Sequence, residues 1–310
     1  MNPKYSIIIL LEDPHPDFHE FIRNLHNVFS TKGDPFEILI MANGRGGFLR
    51  NQLAKLQSFN RTLKAFDFYA ATTQAVCLQA GLKESSGDII VVCGSYQQIT
   101  NDSFVQLLDS LDDDTDIISP WRQNRVDPWF NRFQSRVFNT LVRKMIKPEL
   151  HDLSCTVKVF RRQVAEETKI YGNMYRFLPI LAAQKGFKTR EIECEHYQER
   201  GKTGLYGLSD YVTRLIDIFT LFFNTRFTKK PLRFFSSIGL CFLITGLFIT
   251  FYVFVERFFL SHPIGDRPIL LLALFFMVLG VQAGSVGLLG EIIVFIHGRQ
   301  TKEYSIEKLI

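Results

Sequence analysis

The chain has 310 residues, 46% of them hydrophobic, and a formal net charge of +5, enough for one large domain or two small ones. Its five cysteines show no paired spacing, which excludes a zinc ribbon or a disulfide framework and suits a reducing cytoplasm. A modest positive charge would serve nucleic acid or an anionic membrane equally, and two long uncharged stretches near the C-terminus decide for the membrane, so nucleic acid is not expected as a partner.

Ser6 to Leu11 reads as a first strand, followed by a Pro-containing turn and a helix from about Asp17 to Phe29. The start of the chain, Met-Asn-Pro-Lys-Tyr, does not read as a signal peptide. Phe36 to Met41 is a second strand that ends in Ala-Asn-Gly-Arg-Gly-Gly, a loop whose glycines permit turns that other residues resist. A helix is expected near 48–57 and another over Ala70 to Ser85. The run Gly87-Asp-Ile-Ile-Val-Val-Cys-Gly94 is the most informative stretch, because five consecutive β-prone apolar residues between turn signals predict a strand buried on both faces. Such a strand sits centrally in a parallel sheet, and ligands bind outside the carboxyl ends of the strands. Gly94-Ser95-Tyr96-Gln97-Gln98 therefore stands where chemistry is expected, with no carboxylate among its five residues.

Ser103 to Leu111 is a short helix capped by Asn101 or Asp102, and Thr115 to Ser119 is a strand. The alternation of strand and helix to this point predicts an α/β fold with a largely parallel sheet. From Trp129 to Ile146 apolar residues keep a 3.6-residue period with Arg132, Arg136, Arg143 and Lys144 among them. That pattern gives an amphipathic basic helix, lying on a bilayer surface or packed on the sheet. Val157 to Arg161 and Thr189 to Glu193 are further strands around a helix near Met174 to Lys185, and 208–223 reads as an interfacial helix.

Phe234 to Val255 and Pro268 to Gly290 carry no charge at all, and each exceeds the ~20 residues that a helix needs to cross a bilayer. Arg226, Lys229, Lys230 and Arg233 precede the first span, and Arg299 and Lys302 follow the second. By the positive-inside tendency both termini and the globular part are cytoplasmic, in a multi-pass protein of the inner or cytoplasmic membrane. The expected division is a globular domain with interfacial helices over 1–225 and a two-helix hairpin with a short tail over 226–310.

Several segments, in this order, resemble the family 2 glycosyltransferases that load a sugar onto polyisoprenyl phosphate. They are the strands Ser6-Ile-Ile-Ile9, Glu37-Ile-Leu-Ile40 and the Gly87-Asp88 strand, then Arg122-Gln-Asn-Arg125-Val-Asp127 with Ser135, Phe138 and Asn139 behind it. Asp152-Leu-Ser-Cys155 with Lys158-Val-Phe-Arg161-Arg162 looks like the acceptor-loop segment, and Arg200-Gly-Lys202-Thr203 with Tyr206 like a shortened Arg-x-x-Gly-x-Ser-x-Tyr signature. The hairpin, with Gly290-Glu291 near the end of its second helix and Arg299 to Tyr304 after it, also matches.

The resemblance implies a GT-A nucleotide-binding domain, a nucleotide-sugar donor and a polyprenyl phosphate acceptor, with a second copy of the chain as a candidate partner. It assigns Arg122, Arg125 and Asp127 to the reaction, Asn43, Gly44, Asp88 and Gln98 to the donor, and Arg132, Ser135, Arg200 and Lys202 to the acceptor phosphate. Each has a blander reading beside it: the arginines as a solvated basic face, Asp127 as the partner of a neighbouring Arg. Members of the family hold Mg²⁺ or Mn²⁺ with an Asp-x-Asp motif, since a hard cation takes carboxylate and phosphate oxygens. Here Gly94 and Tyr96 stand at the two aspartates and only Gln98 of that group remains, so no metal site is expected unless Glu12 and Asp13 substitute. Ala42-Asn43-Gly44-Arg45 also replaces the usual Asp-Asp-Gly-Ser, and Leu10-Leu-Glu12-Asp13-Pro14 the usual Pro-x-Tyr-Asn-Glu. Two readings follow: an active transferase that stabilises the leaving diphosphate with Arg and Lys, or an inactive relative that binds lipid phosphate or a partner enzyme.

Overall fold

The computed structural model of the chain describes residues 3–12, 15–44, 62–123, 150–153, 155–168, 174–197, 231–260 and 268–298, with positions 47, 51 and 216. These fall into two compact units, one up to position 216 and the other from 231 onward.

The first unit is built on a seven-stranded sheet. Strands β1 (Tyr5–Leu11), β2 (Phe36–Ala42), β3 (Leu63–Asp67), β4 (Ile89–Cys93), β5 (Ile117–Gln123), β6 (Lys158–Arg161) and β7 (Thr189–Glu195) lie in the order β3-β2-β1-β4-β6-β5-β7. Every pairing is parallel except those of β6, which runs antiparallel to both β4 and β5. The Gly-Asp strand is thus β4, fourth of seven, and buried from Ile90 to Cys93. Because side chains alternate across a strand, Ile7, Ile9 and Val91 pack on one face with Cys93, while Ile8, Leu10, Ile90 and Val92 pack on the other.

Helices cover both faces. On the first lie α1 (Phe18–Lys32), through Phe18, Ile22, Leu25 and Phe29, and α3 (Asn101–Asp109), through Phe104 and Leu107. On the second lie α2 (Gln74–Glu84), α4 (Arg162–Glu167) and α5 (Leu178–Gln184), the last entered through a tight turn at Met174–Phe177. Gly81 lets α2 approach β1, since a Cβ there would stand 2.7 Å from Ile8 Cγ2.

Several boundaries differ from expectation. Helix α2 starts at Gln74 rather than Ala70, because 69–71 are exposed and Thr73 is the extended residue before the first turn. Helix α3 is capped by Thr100, whose hydroxyl accepts from Ser103 N at 3.4 Å, and not by Asn101 or Asp102. Strand β3 and helix α4 were not expected, and β5 and β7 each run further than their apolar cores. The expected basic helix over 129–146, the interfacial helix over 208–223 and all but position 51 of the expected helix over 48–57 lie outside the described residues.

The second unit is a helical hairpin of α6 (Pro231–Leu260) and α7 (Pro268–Gly298). Stretches of 28 and 29 residues in them, whose most apolar 18-residue windows have mean hydropathy 2.4 and 2.3, are long and apolar enough to cross a membrane. Only 17% and 11% of their most apolar windows are buried, which is the pattern of helices facing lipid and not of a soluble core. The helices meet along small residues. A Cβ on Gly239 would stand 2.6 Å from Gly280 O, one on Gly246 2.8 Å from Ala273 O, and one on Gly287 2.9 Å from Phe235 Cβ. Gly239, Gly246 and Val253 of α6 and Ala273, Gly280 and Gly287 of α7 are buried in this contact, as is Pro231 at the start of α6. At its end the Glu291 carboxylate accepts from the backbone N–H of Leu232, in the first turn of α6, at 3.3 Å.

Candidate functional site

The strand order reverses direction between β1 and β4, with β2 and β3 outward on one side, and the carboxyl ends of strands at such a switch point are where open α/β sheets take their ligands. Glu12 stands just after β1 and Ser95 just after β4. The Ser95 hydroxyl joins them, accepting from Glu12 N at 3.3 Å and lying 3.4 Å from Leu10 O as donor. The Glu12 carboxylate accepts from Gln74 Nε2 at the start of α2. Burial, with the Glu12 charge adding to it, pushes the Cys77 thiol up to about 11, which keeps it protonated and inert.

Beyond β2, Asn43 makes a two-way amide link to Thr72, accepting from its N at 2.6 Å and donating to its O at 2.8 Å. Gly44 follows at φ +65°, a conformation that favours glycine, with Ala71 packed against it. Asn43 and Gly44 therefore shape the loop that lines the carboxyl end of the sheet. Asp88 does not join them: it is exposed at the amino end of β4, about 16 Å of strand away at ~3.3 Å per residue. Its assignment to the donor is corrected on that ground, because a strand's two ends face opposite edges of the sheet.

The position of the first Asp of the family motif is closed. A Cβ on Gly94 would stand 2.9 Å from Thr156 Oγ1, which instead accepts from Gly94 N at 3.2 Å. Tyr96 lies over the His15 ring at 5.7 Å between centroids, and its hydroxyl accepts from Gln98 Nε2 at 3.0 Å. Next to it a small pocket of about 30 Å³ opens among His15, Asn24, Tyr96 and Tyr197, with room for one water. Gln98 is 2% exposed, and its oxygen is engaged by three donors: Thr156 N at 2.8 Å, Thr156 Oγ1 at 2.9 Å and Cys155 Sγ at 3.3 Å. Its backbone oxygen also accepts from Tyr197 N at 3.1 Å. Gln98 thus ties the end of β4 to segment 155–156 and to the chain after β7.

A divalent cation needs several oxygen ligands, usually including carboxylates. Gly94, Tyr96 and the engaged Gln98 do not fit one, and among the described residues no three His, Cys, Asp or Glu side chains form a group able to hold a metal.

Arg122, at the end of β5, is buried and paired with Asp152 by two hydrogen bonds, Nε to Oδ2 at 2.7 Å and Nη2 to Oδ1 at 3.2 Å. Burial opposes its charge, and the Asp152 carboxylate outweighs burial and holds it firmly protonated. The same segment is anchored from β7, where the Glu191 carboxylate accepts from His151 N at 2.8 Å and from Asp152 N at 2.9 Å. The His151 ring stacks on Trp121 at 4.1 Å. Below, the Lys158 side chain is fully buried and donates to Cys155 O at 2.7 Å, and burial lowers its pKa. Arg122 is therefore the brace of segment 150–157 in this geometry, its guanidinium already forked onto a carboxylate.

Arg125, Asp127, Arg132, Ser135, Arg200, Lys202 and Asp13 lie outside the described residues. The structure brings Asn43, Gly44 and Gln98 to one edge of the sheet with Arg122. It adds Glu12, Gln74, Ser95, Thr156, Asp152 and Glu191, which sequence reasoning had not joined. Asp152 and Cys155 stood in the matched acceptor-loop segment, but no local signal pairs them with Arg122 and Gln98.

A mostly parallel sheet with helices on both faces and a switch in strand order between β1 and β4 is the architecture of a GT-A glycosyltransferase domain. Solved structures agree at the level of the fold. Mannosyl-3-phosphoglycerate synthase from Rubrobacter xylanophilus matches with a TM-score of 0.53 at 10% identity, covering 70% of this chain and 72% of that one. Glucosyl-3-phosphoglycerate synthase from Mycobacterium tuberculosis, in complex with Mn²⁺, UDP and glucosyl-3-phosphoglycerate, matches with 0.51 at 10% identity, covering 72% and 79%.

Residues 16–169 match Glycosyl transferase family 2, so the chain carries a domain of that family. Its curated relatives are polyprenyl-phosphate sugar transferases. The undecaprenyl-phosphate 4-deoxy-4-formamido-L-arabinose transferase of Sodalis glossinidius is 29% identical over 292 residues, 94% of this chain and 88% of that protein. The dodecaprenyl-phosphate galacturonate synthase of Rhizobium johnstonii is 28% identical over 224 residues, 71% of this chain and 66% of that protein.

Proposed function

We propose that the chain transfers a sugar from a nucleotide sugar to a polyprenyl phosphate at the cytoplasmic face of a membrane, without a metal held by an Asp-x-Asp motif. The observation that carries this reading is the alignment of the formamido-arabinose transferase through both the sheet domain and the hairpin. The sheet edge at the carboxyl ends of β1 and β4 takes the nucleotide sugar, with Asn43 and Gly44 beside it. An oxygen of the lipid phosphate attacks the anomeric carbon, the bond from that carbon to the nucleoside diphosphate breaks, and the configuration inverts. With Gly94 and Tyr96 at the metal position, the charge of the leaving diphosphate falls to cationic side chains. Arg125 and Arg132, with Arg200 and Lys202, are the proposed group, since a guanidinium fork matches phosphate oxygens. Ser135 joins them at the lipid phosphate, and Asp127 is proposed as the acid–base partner. Arg122 and Gln98 act here through the segment that they hold, as positioning residues.

The basic flanks of the hairpin support a topology with both termini cytoplasmic and the 261–267 connection on the other side. The test of function is the full-length chain in nanodiscs with undecaprenyl phosphate and a panel of UDP-, GDP- and other nucleotide sugars, read by mass spectrometry of the lipid. A sugar-loaded lipid formed equally with EDTA and with Mn²⁺ is the expected result. No product from any donor, with lipid phosphate still bound, would replace the transferase reading with that of an inactive binding protein.

A further inference from the structure

The face of α7 that meets α6 is set by Ala273, Gly280 and Gly287, all buried against the partner helix. Gln282 is two residues past Gly280 and so lies about 200° round the helix from it at ~100° per residue. It is exposed, on the side away from α6, in a row with Val278, Ser285 and Leu289, which are exposed as well.

Its depth makes this side chain unusual. Gln282 is the midpoint of the 29-residue apolar stretch Pro268–Ile296. With a hydrocarbon half-thickness of ~15 Å, a glutamine side chain of about 5 Å cannot reach water from there, unlike the snorkelling residues of helix ends. Hydroxyl groups in the hairpin find partners locally, as Thr245, Thr250 and Ser285 do by donating to the carbonyl one turn back. Gln282 has no such bond and, among the described residues, no hydrogen-bond partner. An amide left in hydrocarbon without a partner is strongly unfavourable.

An amide offers both a donor and an acceptor, so it is its own complement across a two-fold axis. The small, exposed Ser285 in the next turn allows two backbones to approach at that depth, as small residues do in membrane helix pairs. We propose that the outer face of α7 is where two copies of this chain associate, with Gln282 of one copy hydrogen-bonded to Gln282 of the other. This rests on the membrane-spanning hairpin put forward above.

The test uses the full-length protein in lipid bilayers, with donor- and acceptor-labelled copies mixed and energy transfer followed as the lipid-to-protein ratio rises. Gln282→Leu is expected to raise the apparent dimer dissociation constant about tenfold, the scale of one to two interhelical amide bonds. Leu240→Ala, on the lipid side of α6, is expected to leave it unchanged. In a Cys241→Ser background, Gln282→Cys is expected to cross-link two copies on mild oxidation in native membranes, and Leu240→Cys is not. Equal association of the wild type and Gln282→Leu, a wild type monomeric at every dilution, or cross-linking of Gln282→Cys to a protein of another mass would each overturn the proposal. Carbonate extraction separates its failure from that of the membrane reading: a chain retained in the pellet with unaltered association overturns only the dimer face, and a chain that is released overturns both.

Discussion

Replacing Gln98 by Leu removes one amide and strands several groups at once. The Thr156 N–H and hydroxyl, the Cys155 thiol and the Tyr96 hydroxyl each lose a hydrogen bond. A buried donor left unpaired costs about 1–3 kcal/mol, and the Thr156 N–H is fixed by the backbone and cannot turn to another acceptor. The Thr156 hydroxyl keeps its bond from Gly94 N, and a thiol is a weak donor, so about 2–4 kcal/mol is the expected total. For a domain of roughly 200 residues, at about 2–4 °C per kcal/mol, this predicts a fall in Tm of about 4–16 °C. Gln98→Glu keeps an acceptor for all three donors and can take the Tyr96 hydroxyl as a donor, so it should lose less than Gln98→Leu. The assay is thermal unfolding of the full-length chain in nanodiscs, with hydrogen exchange at residues 155–157 as the local readout. A Gln98→Leu protein that melts within 1 °C of wild type, with unchanged protection at Thr156, would refute the assignment of Gln98 as the link between β4 and this segment.

Other outcomes follow from the same geometry. Breaking the Arg122–Asp152 pair by Arg122→Leu should cost about 3–5 kcal/mol by taking the paired charge from a buried carboxylate, while Arg122→Leu with Asp152→Leu should recover much of it; denaturant titration of both variants decides this. Wild-type protein should bind UDP or GDP no better with Mn²⁺ than with EDTA in calorimetry. Gly94→Asp with Tyr96→Asp should gain Mn²⁺ dependence only when Thr156→Ala is added, since the Thr156 hydroxyl occupies the space that the new Cβ needs. Burial pulls the Glu37 carboxyl up, but bonds from Lys64, Ser86 and Ser6 outweigh it and hold its pKa below the ordinary 4.5. The folded state then binds fewer protons there than the unfolded one, so its stabilisation is present above pH 4.5 and is lost as pH falls through the lower folded value. Stability of Glu37→Gln should therefore change less than that of wild type over that acidic range in pH-dependent melts.

What was legible in the sequence was whatever burial writes locally. Five apolar residues from Ile89 to Cys93 gave away the central strand, and uncharged runs gave away α6 and α7. Strand β3 is an edge whose Leu63-Lys-Ala-Phe-Asp67 is half-exposed and has no apolar run to betray it. The Thr100 cap was hidden among Thr-Asn-Asp-Ser, four residues that all cap well. In the site, the family register named the end of β4 and segment 152–155, and it named Asp88, which precedes the strand and so belongs to its other end. The engagement of Gln98 by Thr156 and of Arg122 by Asp152 spans 58 and 30 residues of chain. Pairings at such separation depend on how β6 and β5 are laid beside β4, and no local pattern encodes that.

The contact between the two apolar helices recurs at Gly239, Gly246 and Val253 on one and at Ala273, Gly280 and Gly287 on the other. Each interval is seven residues, slightly short of two full α-helical turns, so the seam can stay closed only if the helices wind round each other with a left-handed twist. This makes the hairpin sensitive to length before chemistry. One residue inserted between Gly280 and Gly287 would turn the remainder of the helix by about 100° and swing Gly287 out to the lipid, bringing a bulky neighbour against Phe235. Seven inserted residues would return every later position to its own side of the seam.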